Sequence, residues 1–209
     1  MRILRRFHPS LKINRVIEFL TLSDIVLLSG WRLVTPILAI FIAGQVEGGS
    51  IAVAGLSVTI YLLIGSIFQL PVARFIDKKK GEWDDFWFLV VGTSLYTVVA
   101  FMYVWVKYPW QVYLVEGIHG IGLALSSPAW NAIFTRHLDK NREGVGWSIH
   151  NAATGVGAAL TAGLGGLFAV QFGYDSLFIV VGVCSLIGTL FLAGVTRDLK
   201  KRLGRPPKH

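Results

Sequence analysis

Eighteen of the 20 Lys and Arg residues lie in four short clusters, and apolar stretches long enough to cross a bilayer run between those clusters. Five basic residues fall in Met1–Arg15, four in Arg74–Lys80, three in Arg136–Arg142 and six in Arg197–Lys208. Only Arg32 and Lys107 lie elsewhere. If the apolar stretches cross a membrane, alternate connections bring all four clusters to one side. Basic residues are held on the cytoplasmic side. One pattern therefore predicts both the number of crossings, six, and their direction, with both termini cytoplasmic.

Composition supports a lipid environment. The chain is 54% hydrophobic and 15% charged, against about 25% charged in soluble domains. A net charge of +8 could suit nucleic acid, but these basic residues sit in short groups beside long apolar runs. Anionic headgroups are their natural partner, so membrane lipid is expected and nucleic acid is not. The single cysteine, Cys184, lies in an apolar run and rules out an internal disulfide framework. No Cys/His pair has metal-ligand spacing, and neither a metal nor another cofactor is expected. Residues 1–18 are charged and lack an apolar signal-peptide core, so the first helix is expected to be retained.

A crossing takes roughly 20 residues. Six segments qualify: Phe19–Gly44, Ile51–Phe75, Phe86–Val106, Trp110–Phe134, Gly144–Val170 and Ser176–Thr196. They are continuously apolar rather than alternating, which disfavours a β-barrel. The expected architecture is an all-α membrane protein: a six-helix domain over 19–196, flanked by basic cytoplasmic tails at 1–18 and 197–209. Trp105, Tyr108 and Trp110 at one boundary, and Trp83 and Trp87 at the other, suit interfacial anchors.

Glycine is concentrated in the fifth segment, where Gly155, Gly157, Gly165 and Gly166 lie among alanines. In a membrane such small residues let helix backbones approach closely. They are expected to serve packing, as is Pro128 in the fourth segment.

Ionisable and polar groups at membrane depth are costly and are functional candidates. Arg32 lies near the middle of the first segment. Glu116 and His119 lie three residues apart on the fourth and share a helix face, with Ser127 and Asn131 further along. His150, Thr154 and Thr161 form a stripe on the fifth, beside Asn151. Arg32, Glu116, His119, Asn131, His150 and Asn151 are the expected substrate or proton contacts. Asp24 is set aside as too near the boundary. An Arg32–Glu116 pair could serve packing alone, or both groups could line a water-filled cavity. From the helical rise, Arg32 is better placed to meet His119 than Glu116.

The order of short motifs resembles the N-terminal half of a major facilitator superfamily transporter over roughly 19–196. After its second helix that family carries G-x-x-x-D-R/K-x-G-R/K. Residues 73–81 read ARFIDKKKG, so Asp77 and Lys78 match while Ala73 and Lys80 replace the glycines. The family's fourth helix often reads R-x-x-Q-G-x-G before a small-residue stretch and Pro. Here Glu116 and His119 replace the Arg and Gln, and Gly120, Gly122 and Pro128 match. The fifth-helix antiport pattern G-x-x-x-G-P-x-x-G-G is met at Gly157, Gly165 and Gly166, with Thr161 and Ala162 replacing Gly-Pro.

The resemblance implies a secondary transporter of a small-molecule substrate, with Asp77 and Lys78 in a conformational loop. Family members usually place substrate between two six-helix halves, and this chain has one. Because six spans orient both copies alike, a parallel homodimer could rebuild the arrangement, with Asp77 near the N-terminus of the partner's fifth helix. A second half-sized chain, or a longer transporter of which this is a piece, is the other possibility. A non-transporting assembly or regulatory subunit is the alternative function. An enzyme is not expected, since no H-E-x-x-H, G-x-S-x-G or nucleotide loop is present.

Overall fold

The computed structural model describes residues 14–78 and 81–196, and every regular element in that range is helical. The tail at 197–209, most of the tail at 1–18, and Lys79 and Lys80 of the loop motif lie outside the described residues.

Six helices follow in order: α1 (Arg15–Val34), α2 (Leu38–Gln45), α3 (Ile51–Lys78), α4 (Glu82–Met102), α5 (Pro109–His137) and α6 (Glu143–Phe191). The first expected segment is thus two helices, bent by 42°. Pro36 lies between them and has no N–H to return to the preceding turn. Thr35 closes α1 by donating both its N–H and its hydroxyl to the Trp31 carbonyl. At the other end, Asn14 accepts from the Val16 N–H at 3.0 Å while its amide donates to the His137 carbonyl at 3.2 Å. That side chain both caps α1 and ties it to the end of α5.

The fifth and sixth expected segments run together as α6. Its 49 residues would extend about 74 Å as one straight helix, far beyond a hydrocarbon core of about 30 Å. Gly173 breaks it, with φ +81° and ψ 165°. This conformation is open to glycine and costly to other residues.

Three of the helices are long and apolar enough to cross a membrane: α3, α4 with its short 3₁₀ extension to Trp105, and α6 carried on to Thr196. Taken as one bent unit, α1 and α2 make a fourth. Helix α5 is long enough at 29 residues, but Glu116, His119, Ser126, Ser127 and Asn131 interrupt its apolar run.

Helix α1 lies along α6, and α5 is held between α3 and α4. Close approach explains the fit at Gly165, where a Cβ would come within 1.8 Å of the Leu33 carbonyl oxygen. Gly157 abuts Ser29 of α1 in the same way, whereas Gly155 and Gly166 face open space. Two apolar clusters fill the bundle. One joins Trp31, Phe41, Tyr103 and Phe178; the other joins Leu20, Ile76, Phe134 and Leu192. Side-chain bonds add cross-ties: Arg136 pairs with the fully buried Asp85, and Gln69 donates to Ser127 at 2.8 Å. Pro128 follows Ser127 inside α5.

Candidate functional site

Two cavities lie against α1, and the side chains of Leu27, Leu28 and Tyr96 line both. The first has a volume of about 320 Å³ and brings Arg32, Glu116 and His119 together with Trp31 and Tyr61. Five helices build it: α1 supplies Arg32, α2 Leu38, α3 Tyr61, α4 Tyr96, and α5 Glu116 and His119.

Glu116 is only 3% exposed, and both its oxygens are engaged. The Tyr103 hydroxyl donates to Oε1, and His119 Nδ1 lies 3.3 Å from Oε2. Tyr103 reaches Glu116 because the chain turns back between α4 and α5, bringing together residues 13 apart. The His119 ring stacks on Trp31 at 4.4 Å between centroids, lies 4.4 Å from Tyr61 and meets the edge of Tyr96 at 5.1 Å. Three aromatic rings therefore fix its orientation.

Arg32 differs from both. It is exposed, and among the described residues it forms no ion pair. The expected opposition of Arg32 and Glu116 is thus a shared cavity and not a contact. Glu116 is turned toward Tyr103, and Arg32 lines the same cavity while remaining exposed. Nor does Arg32 pair with His119, whose ring packs against Trp31.

The second cavity, about 310 Å³, holds Asp24, His150, Asn131, Ser127 and Trp130. His150 Nε2 lies 3.6 Å from Asp24 Oδ2, and its ring is 4.6 Å from Trp130 and 5.4 Å from Phe134. His150 Nδ1 and Trp130 Nε1 are buried without a hydrogen-bond partner among the described residues. Thr154 and Thr161, which share the His150 stripe, donate to carbonyls of their own helix. Asn151 is exposed and lines neither cavity. Asp77 and Lys78 are exposed in the last turn of α3, away from both.

Asp24 and Tyr103 are the participants that the sequence reading overlooks. Asp24 looks peripheral only if the helix starts at Phe19. It starts at Arg15, which places Asp24 about 14 Å along it. An acidic residue beyond two turns of helix was the available signal. Tyr103 had none, since its role depends on the reversal between α4 and α5.

The apolar, bundled helices define a multi-pass membrane protein. The family model of the Major Facilitator Superfamily matches residues 20–209, and the chain belongs to that family. It is a transporter of the major facilitator kind. No curated protein matches the sequence.

Proposed function

We propose that the chain is a secondary active transporter of a small solute that works by alternating access as a parallel homodimer of half-transporters. In this reading it crosses the membrane six times, counting α1 with α2 as one crossing and the two arms of α6 as two. Both ends then lie in the cytoplasm. Arg32, Glu116 and His119 form the substrate chamber, and Asp24, His150 and Asn131 form a second polar chamber beside it.

The observation that carries the reading is Arg32. It stands 17 residues after the start of α1 and 13 before the end of α2, exposed and without an ion-pair partner among the described residues. A charged residue at the centre of a crossing costs about 2.5–3.5 kcal/mol on insertion scales. That face is therefore poorly suited to lipid and well suited to a watered cleft between two halves. A second copy supplies the other wall, because a two-fold axis along the membrane normal preserves the direction of every helix.

The test is solute flux in vesicles containing Arg32→Ala at wild-type abundance. The expected result is loss of uptake or efflux. Unchanged flux would remove Arg32 from the pathway, and cysteine cross-linking in membranes that recovers only monomers would remove the homodimer.

A further inference from the structure

The first cavity has a charge arrangement that defines the class of solute it takes, an inference that rests on the transporter reading above. Glu116 contributes a negative charge that is already used, with Oε1 bonded by Tyr103 and Oε2 faced by His119 at 3.3 Å. Arg32 contributes a positive charge that forms no ion pair among the described residues. Among the described residues, a guest entering the cavity therefore meets one free cation and no free anion. The Trp31 Nε1–H in the same wall is buried with no acceptor among the described residues, a second donor open to a guest. The remaining walls are mostly apolar or aromatic, with Leu28, Leu38, Val58 and the Tyr61 ring, and the Thr35 hydroxyl among them is already bonded to the Trp31 carbonyl.

We infer that this cavity binds a small organic monocarboxylate with a planar apolar body, held by Arg32 through its head group and by Tyr61 and the Leu28–Val58 walls along its length. A guanidinium fork matches the two oxygens of a carboxylate. A dianion such as a phosphate monoester would bring a second negative charge close to Glu116 with no second free cation to meet it. A cation would face Arg32 directly and find both Glu116 oxygens occupied. The cavity volume of about 320 Å³ is at the small end of the usual range for ligand sites, about 300–1,000 Å³, which limits the guest to one or two rings.

The experiment uses the full chain in lipid nanodiscs and three probes of one shape: benzoate, benzamide and benzamidinium. Equilibrium binding of radiolabelled benzoate is measured, with the other two as competitors. Saturable benzoate binding is expected, with benzamide at least about tenfold weaker and benzamidinium ineffective. Arg32→Gln should weaken benzoate binding by about ten- to a hundredfold, the weight of a charged hydrogen-bonded contact. Arg32→Lys should lose less and keep the order of the three probes, and it decides the matter if the Gln variant does not fold. Absence of saturable benzoate binding, benzamidinium competing as well as benzoate, or an unchanged Arg32→Gln would each overturn the inference. Binding is read without transport. Benzoate bound but not moved across vesicles would sink the transporter reading and leave this one standing. Flux through a protein that prefers benzamidinium would do the reverse.

Discussion

The two cavities share a wall and nearly the same volume, yet they handle charge in opposite ways. In the chamber of Asp24 and His150, an acid and a base from different helices lie within ion-pair reach at 3.6 Å. In the chamber of Arg32, the acid is buried and satisfied by Tyr103 and His119, while the base stands exposed with no ion-pair partner among the described residues. The two arrangements suit different roles. A closed pair holds helices together, and α1 and α6 are the helices most extensively packed on one another. An open charge has to be met by something from outside the chain.

The largest expected effect tests the closed side. His150→Leu removes the base and leaves the Asp24 carboxylate in an enclosed site. Loss of one partner of a buried pair costs about 3–5 kcal/mol, and the lower end applies here because Asp24 keeps 19% side-chain exposure. The double variant Asp24→Leu with His150→Leu should recover part of that loss. Unfolding in mild detergent, followed by tryptophan emission, measures both. If the double variant loses the sum of the two single losses, the pair is not a pair and the contrast collapses.

Arg32→Ala tests the open side and should invert the pattern. Transport should fall by about a hundredfold, since a transition between two facing states loses its charged contact. Stability should change by no more than about 0.5 kcal/mol, as expected of an exposed residue away from packing contacts. A large drop in stability with normal flux would mean that Arg32 has an unrecognised structural partner.

How far the contrast could be read from sequence depends on how local each feature is. Glu116 and His119 lie three residues apart on one helix, so their proximity follows from the helical repeat alone. The break at Pro36 is equally local, and proline there signals it, although apolarity continues through the segment and by itself predicts one helix. The Gly173 break sits in the short connection expected between the fifth and sixth segments. Tyr103 with Glu116, and Asp24 with His150, depend on which helices become neighbours and how they are rotated, and no local pattern carries that. Arg32 is intermediate. Its depth is legible, but helix order alone leaves open whether it pairs with Glu116 or shares a cavity with it, because that order does not say which way Glu116 turns.

A smaller effect probes why Glu116 is not free. Tyr103→Phe keeps the ring, which stacks on Phe178 at 4.8 Å, and deletes only the hydroxyl that meets Oε1. Leaving a buried charged acceptor short of a donor costs about 1–3 kcal/mol, and thermal unfolding should show it. The same variant should also weaken benzoate binding, because a carboxylate released from Tyr103 can turn toward the cavity and oppose a second anion. Lower stability with unchanged binding would show that Tyr103 only supports the fold.

The smallest expected effect concerns the shared wall. The Tyr96 hydroxyl lies 3.3 Å from Ser126 Oγ, which also donates to the Gly122 carbonyl at 2.8 Å. Tyr96→Phe therefore removes one long bond and keeps the ring that lines both chambers. A loss of about 0.5–1.5 kcal/mol is the most that such a bond supplies, and benzoate binding should stay within about twofold because neither Arg32 nor Glu116 changes partner. Tyr96→Ala should behave differently. It removes the ring itself and joins two cavities, so the Asp24 carboxylate faces the same space as Arg32. Arg32 would then have an internal counter-charge, and benzoate affinity should fall while Asp24→Asn in the same background restores it. If Tyr96→Ala leaves benzoate binding intact, the ring is not what keeps the two charges apart.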